Sequence, residues 1–420
     1  MTIFQAMILR FTSLFGLFVI IFLAWCLSRY RKLFPWRTVY WGLGLQFAFA
    51  LLILKTRFGV VLFEFAQRSV VKLNAFANEG AKMVFGPLAD TSLMAEKFGA
   101  GNNFIFAVAI SATIILVSSL SSLFYHWGIL QRVVHGIAWL MQRAMRTSGS
   151  ETLATAANIF LGQTEAPLLV KPYVARMTQS ELLALMTGGM ATIAGGVLAV
   201  YVLLGASSGH LLTASVMSAP AALMIAKIML PETETSKTAS SATVRLEGTT
   251  TNSIDALCRG ASEGLYLSLN VLAMLITFVA IVGLLNFLLE LSQRPFSMAN
   301  PMRLQTLFGW LNAPFAWLMG IPGKDCFLIG QILGERIVLN EFFGYLRLTQ
   351  QRALLDERSF VLATYALCGF ANFGSIAIQI GGIGALAPER RSDLARLGLK
   401  AMIAGLLSCY LTATVVGILI

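Results

Sequence analysis

Eight stretches of this sequence run for about 17–25 residues with almost no charge, each long enough to cross roughly 30 Å of hydrocarbon as a helix. They are Phe11–Leu27, Val39–Leu54, Phe104–Phe124, Leu182–Leu204, Leu211–Leu230, Leu265–Leu289, Phe360–Ile383 and Leu397–Ile420. A backbone surrounded by lipid must satisfy its own hydrogen bonds, and these runs lack the alternation of barrel strands, so a helical bundle is the remaining solution. The composition agrees: 57% of the 420 residues are hydrophobic and 12% are charged, with a mean hydropathy of +0.75. The chain therefore reads as an all-α polytopic membrane protein. Only Arg10 precedes the first run and no small-residue cleavage site succeeds it, so that run reads as a span and not as a signal peptide.

The net charge of +11 is a statement about topology. Basic residues cluster in Arg29–Arg37, Arg132–Arg146 and Pro388–Lys400, beside the ends of spans, where Lys and Arg mark the cytoplasmic side. That assignment puts both termini on the outer side of the membrane and leaves no role for nucleic acid. The five cysteines, Cys26, Cys258, Cys326, Cys368 and Cys409, have neither metal nor redox spacing, and most read as small hydrophobes inside apolar runs.

Three regions are not simple spans. Phe63–Glu79 places Glu64, Gln67, Arg68, Lys72 and Glu79 along one helical stripe, the pattern of a helix lying in the membrane interface. Pro231–Thr251 is polar and rich in Ser and Thr, and reads as a flexible cytoplasmic linker between two halves. The third case is a matched pair, Thr152–Tyr173 and Cys326–Leu346, each apolar but interrupted by Gly and by acidic residues. Broken segments at corresponding places in two halves point to a transporter's binding site. The helical runs immediately C-terminal to the two members are also related: aligning Gly189 with Gly369 aligns Ala191 with Ala371 and Thr192 with Asn372. The resulting layout is residues 1–88 as scaffold spans and interfacial helix, 89–230 as a first repeat with the first re-entrant hairpin, 231–256 as linker, and 257–420 as an inverted second repeat with the second hairpin.

The chemistry concentrates in the hairpins. Carboxylates such as Glu165 and Glu341 are expensive inside a membrane and usually face a cavity; the ordinary alternative is an ion pair with Lys171 or Arg336. Gln163 and Asn372 carry amides that both donate and accept, suited to a nucleobase edge or a sugar diol. Phe370 and Phe373 flank Asn372 and can stack on a planar ring or simply pack. Breaks near Gly162–Pro167 and Gly195–Gly196 free backbone carbonyls which, with Asn158 or Thr192 oxygens, suit a small hard cation; Thr192 could equally bond back to its own helix. The three histidines, His126, His135 and His210, belong to no enzymatic motif, and no HExxH, paired CxxC, phosphate-binding glycine loop or GxSxG occurs.

Several stretches are similar, in sequence and in order, to those of the concentrative nucleoside transporters: WRTV at Trp36, FGPL at Phe85, NIFLGQTEAPLLVKPY at Asn158, GGMATIAGGVLAVYV at Gly188, NEFFGYL at Asn340, and the run from Tyr365 to Gly398 containing CGFANF. The resemblance covers nearly the whole chain. It implies about eight spanning helices, two re-entrant helical hairpins, an interfacial helix and a homotrimer, in a cation-coupled nucleoside importer of the bacterial inner membrane without an enzymatic cofactor. By the same resemblance Gln163, Thr164, Glu165 and Phe370 meet the nucleobase, Glu341, Asn372 and Ser375 hold the ribose hydroxyls, and Asn158, Leu161, Thr192 and Ile193 hold sodium. Thr192 stands where some members carry Ser, and Gly374 replaces a Ser. Proton-coupled members leave a proton as the alternative coupling ion, and a membrane-embedded nucleoside-processing enzyme is the alternative outside transport.

Overall fold

The computed structural model describes residues 3–99, 105–238, 250–294 and 302–420. Among these residues the chain is helical, without strands. The first part comprises α1 (Ile3–Cys26), α2 (Trp36–Lys55), α3 (Arg57–Phe85), α4 (Thr91–Phe98), α5 (Phe106–His126) and α6 (Ile129–Met145). The first hairpin region comes next as α7 (Gly149–Ala157) and α8 (Lys171–Val174), and then come α9 (Gln179–Ala191), α10 (Gly195–Leu203) and α11 (Ser208–Met229). The second part comprises α12 (Ser253–Gln293), α13 (Leu304–Leu318), α14 (Gly323–Val338), α15 (Glu341–Gln350), α16 (Glu357–Leu367), α17 (Phe373–Leu386) and α18 (Arg391–Leu419).

Among the described residues seven stretches are long and apolar enough to cross a membrane. The run expected to span over Phe360–Ile383 is instead a pair, α16 and α17, joined through the non-helical segment Cys368–Asn372. Hydropathy alone misses this division because no charged residue interrupts the run. The span around Leu182–Leu204 has a similar division, with α9 ending at Ala191 and α10 starting at Gly195. The two breaks overlap at one pair of the internal alignment, Thr192 with Asn372.

The centre is built from α9–α10, α11 and α18, whose apolar windows are 83%, 89% and 78% buried, against 22% for α1 and 6% for α12. Helices apolar all round and buried on every side belong to a core, whereas α1 and α12 present apolar flanks outward. Among the described residues α12 extends well beyond Leu265–Leu289 and packs along α5. Its Gly260 has no room for a side chain, since a Cβ would stand 2.6 Å from the Ser118 carbonyl oxygen. Close backbone approach of this kind is how helices associate where no hydrophobic force separates them from lipid.

The amphipathic helix expected over Phe63–Glu79 is longer, filling α3. Its buried seam is Gly59, Ala66, Val70, Ala77 and Ala81, while the exposed Glu64–Arg68 pair (2.9 Å) and the side chains of Phe65, Phe76 and Met83 face outward. Gln67 leaves the polar stripe's expected role: its Oε1 accepts from the Ser208 hydroxyl at 2.8 Å and fastens α3 to α11. At the start of the chain, Arg10 donates from Nε (3.0 Å) and Nη2 (2.9 Å) to the Ile420 carbonyl, so the beginning of α1 and the end of α18 lie together.

A buried ionic cluster ties the base of the first hairpin to α9 and α11. Both α7 and α9 open with capping boxes, Ser148 with Glu151 and Thr178 with Glu181, which satisfy helix-end donors reciprocally. Lys227 Nζ lies 2.8 Å from Glu151 Oε2 and 3.4 Å from Glu232 Oε2. The described part of the inter-half connection is held here too, because Ser236 and Thr238 both donate to Glu181. The remainder of that expected linker, residues 239–249, lies outside the described residues.

Candidate functional site

The first hairpin is α7, a turn and a 3-10 segment, Ala166–Val170, leading into α8. Gly162 makes the turn, with its N–H donating to Glu165 Oε2 at 3.1 Å. Pro167 then sits in the first turn of the 3-10 segment, where its missing donor costs nothing. The segment therefore enters and turns back instead of crossing. Glu165 and Thr164 remain exposed, and among the described residues Glu165 forms no ion pair with Lys171. Thr164 Cγ2 lies against Gly382 of α17, where an added Cβ would come within 2.9 Å of it.

The second hairpin breaks between α14 and α15, where Asn340 caps α15 by accepting from the Phe343 N–H at 3.1 Å. Glu341 thus occupies the first turn of α15, at the positive end of the helix dipole. Its buried carboxylate accepts from Tyr201 Oη at 3.0 Å on Oε1 and from Asn372 Nδ2 at 3.1 Å on Oε2. Arg336 is not its ion-pair partner; that guanidinium donates to the Ala366 carbonyl at 2.9 Å. The neighbouring Glu335 is buried too, and its carboxylate pairs with Arg347 at 3.4 Å.

Asn372 works from both ends. It is the N-cap of α17, accepting from the Ser375 N–H at 2.8 Å, while its amide reaches Glu341. The Ser375 hydroxyl in turn accepts from Gln163 Nε2 at 3.1 Å, and Gln163 Oε1 accepts from Gln379 Nε2 at 3.2 Å. Gln163, Asn372, Ser375 and Glu341 are all buried, from 2% to 8% exposed. Polar groups buried at this density are otherwise costly, and each here has its partner. Phe370 is half-buried at the same break, whereas Phe373 turns outward and is 50% exposed.

The four remaining expected residues lie beside the other break. Phe160 accepts from the Gly195 N–H at 3.0 Å, which brings the turn after α7 against the start of α10. Asn158 is fully buried; its Nδ2 donates to the Ala154 carbonyl at 3.1 Å, and its Oδ1 has no partner among the described residues. That oxygen is an acceptor fit for a cation. Thr192 Oγ1 bonds back to the Gly188 carbonyl at 2.9 Å, while its own carbonyl accepts from the Phe370 N–H at 3.3 Å. Leu161 and Ile193 are buried alongside, at 8% and 1% exposure, and have only backbone oxygens to offer.

The two breaks cross each other. Gly369 lies so close to α9 that a Cβ would meet the Met190 oxygen at 2.8 Å and the Cys409 sulfur at 2.6 Å. Sequence reasoning missed Tyr201 and Gln379. Gln379 had a signal, standing four residues after Ser375 and so on one helix face with it. Tyr201 had none, being one aromatic among aliphatic neighbours.

This arrangement, two interrupted hairpins meeting two crossed broken helices, is that of a secondary transporter. The chain matches the family model for the N-terminus of the Na+ dependent nucleoside transporter over residues 15–88, that for nucleoside recognition over 107–208, and that for the C-terminus of the Na+ dependent nucleoside transporter over 210–417. It is 43% identical to an uncharacterized transporter of Haemophilus influenzae, covering 97% of each chain. It is 38% identical to the sodium/nucleoside cotransporter 1 of Rattus norvegicus, covering 98% of this chain and 64% of that protein. Among solved structures it is similar to CNTnw in an inward-facing substrate-bound state, with a TM-score of 0.90 and 38% identity, covering 98% and 97% of the two chains. A doubly substituted form of CNTnw in an outward-facing state gives a TM-score of 0.92 at the same identity and coverage. The chain belongs to the Na+-dependent, concentrative nucleoside transporter family.

Proposed function

We propose that this protein imports nucleosides by sodium symport through alternating access. The observation that carries the reading is the Glu341 carboxylate, held between Tyr201 of the first half and Asn372 of the second, next to the Gln163–Ser375 bond that joins the first hairpin to α17. A carboxylate offers about four acceptor positions, so two bonds leave capacity for sugar hydroxyls. On this reading Glu341, Asn372 and Ser375 take the ribose, and Gln163, Thr164, Glu165 and Phe370 take the base. The partnerless Asn158 Oδ1, with carbonyls of Leu161, Thr192 and Ile193, takes sodium. The family description, the relative named as a sodium/nucleoside cotransporter, and the inward- and outward-facing CNTnw structures support the ion and the mechanism. The fuller reading includes a homotrimer in the bacterial inner membrane with both termini periplasmic.

The test is uptake of radiolabelled nucleosides into proteoliposomes with an inward sodium gradient and no pH gradient. Accumulation of chemically unchanged nucleoside is expected. Accumulation only under a proton gradient would replace sodium by the proton, and recovery of a converted product would replace transport by an enzymatic reaction.

A further inference from the structure

Breaking a helix leaves carbonyls that must find new donors. In an uninterrupted α16–α17, the Phe370 N–H would bond to the Ala366 carbonyl and the Cys368 N–H to that of Thr364. Neither bond exists. Phe370 donates across the crossing to Thr192 at 3.3 Å, and Cys368 donates to Tyr365 at 3.1 Å. Both vacated carbonyls are taken up by the second hairpin: Arg336 Nη1 donates to Ala366 at 2.9 Å, and Tyr345 Oη donates to Thr364 at 2.8 Å.

Arg336 is an expensive donor for this task. It is fully buried, has no carboxylate at ion-pair distance among the described residues, and leaves its Nε without a partner. Its other terminal nitrogen meets the Cys409 sulfur at 3.5 Å. A cation enclosed in this way is usually functional. It lies against the C-terminal end of α16, where the helix dipole is negative and favours positive charge. The contacts then close a ring. From Arg336 the chain of bonds runs to Ala366, along the break to Phe370 and Asn372, and from Asn372 back to Glu341, five residues after Arg336 on the same hairpin. Thr192, of the other break, is attached to this ring through Phe370.

We infer that Arg336 and Tyr345 are positioning residues that hold the α16–α17 break open, and that through the Phe370–Thr192 bond they link the cation side of the site to its sugar side. The linkage rests on the nucleoside-symport reading; the capping role does not. Arg336→Lys keeps a cation able to reach one carbonyl, Arg336→Met removes it at similar bulk, and Tyr345→Phe removes only the second donor.

Hydrogen exchange of the ligand-free protein and nucleoside binding across a sodium titration read the two parts separately. For Arg336→Met, exchange of the Gly369–Asn372 amides is expected to quicken by about tenfold, with nucleoside affinity about tenfold weaker, the size of a lost charge-assisted bond. The sodium concentration giving half-maximal nucleoside binding should rise by about threefold or more, and Arg336→Lys should stay within about threefold of wild type throughout. Tyr345→Phe should move all three quantities in the direction of Arg336→Met by about threefold. A folded Arg336→Met protein with wild-type exchange at the break and wild-type sodium dependence overturns the inference. If that variant fails to fold, unchanged exchange and sodium dependence in Tyr345→Phe overturn it instead. Failure of the wild type to bind nucleosides defeats the functional reading, and the exchange measurement still decides the capping role.

Discussion

Tyr201 Oη donates to Glu341 Oε1 across 3.0 Å, joining α10 of the first half to the second hairpin. The same ring stacks on Tyr345 with centroids 4.3 Å apart, so its hydroxyl is aimed by packing as well as by the bond. Tyr201→Phe keeps the stack and removes the donor. Nucleoside affinity should fall by about tenfold, since one side of a buried carboxylate loses its bond. Glu341→Gln should abolish binding or nearly so, because the amide presents a donor where sugar hydroxyls need an acceptor. Equilibrium binding of labelled nucleoside to purified protein measures both. Unaltered affinity in Glu341→Gln would remove the ribose role.

Gln379 supports recognition at one remove. Its Nε2 donates to Gln163 Oε1 at 3.2 Å and to the Met186 carbonyl at 3.0 Å. Gln379→Leu leaves the Gln163 amide held from one side only, by its bond to Ser375. The preference between pyrimidine and purine nucleosides should change by about threefold or more, a fraction of one hydrogen bond. Discrimination against a 2′-deoxy sugar, which depends on the Glu341 side, should not move. A competition panel in one assay reads both ratios, and a changed deoxy ratio with an unchanged base preference contradicts the assignment.

Lys227 and Glu151 form a pair whose side chains are 7% and 1% exposed. Removing one member strands the other charge, at a cost of about 3–5 kcal/mol. Lys227→Met should therefore lower the apparent thermal unfolding midpoint in detergent by several degrees. The double variant Lys227→Met with Glu151→Leu should recover most of that loss. Equal instability of the single and double variants would mean that packing, not charge, holds this corner.

Asp90 offers a pH-dependent test outside the spans. It caps α4 by accepting from the Ser92 N–H at 3.1 Å and meets Lys82 Nζ at 2.9 Å. The bond from Lys82 first, then those from the Ser92 hydroxyl and the Leu93 N–H, hold its carboxyl well below the usual carboxylate range. A depressed carboxylate contributes above its ordinary pKa of about 4 and loses that contribution only as pH falls through the lower folded value. Protection of the Ser92 and Leu93 amides, corrected for intrinsic exchange, should stay flat from about pH 5 to 8. Asp90→Ala should reduce it equally across that window. A decline of wild-type protection within the window would show that the cap is not held ionised.

The sequence made the membrane class and the hairpins legible because both rest on local signals. Charge-free length marks the spans, and a Gly, a Pro and a carboxylate inside apolar runs mark Gly162–Pro167 and Glu341. The interior of Phe360–Ile383 was not legible in that way, because its break is made by tertiary donors, Arg336 and Tyr345, that hydropathy does not register. Tyr201 and Lys227 were hidden for a related reason. Their partners, Glu341 and Glu151, are 140 and 76 residues away, and nothing local distinguishes a buried hydrogen-bonded tyrosine from one that merely packs. Among the expected site residues, the side-chain network unites Gln163, Glu341, Asn372 and Ser375, whereas Thr164 and Glu165 stay on the rim.

The crossed breaks have a further consequence in terms of partial charge. The C-terminal ends of α9 and α16 and the N-terminal ends of α10 and α17 meet around Gly369 and Thr192. Each C-terminal end carries about half a negative elementary charge and each N-terminal end the opposite. The crossing is thus an electrical landscape drawn by the backbone, in which the Arg336 guanidinium answers the negative end of α16 and the Phe370 N–H answers that of α9.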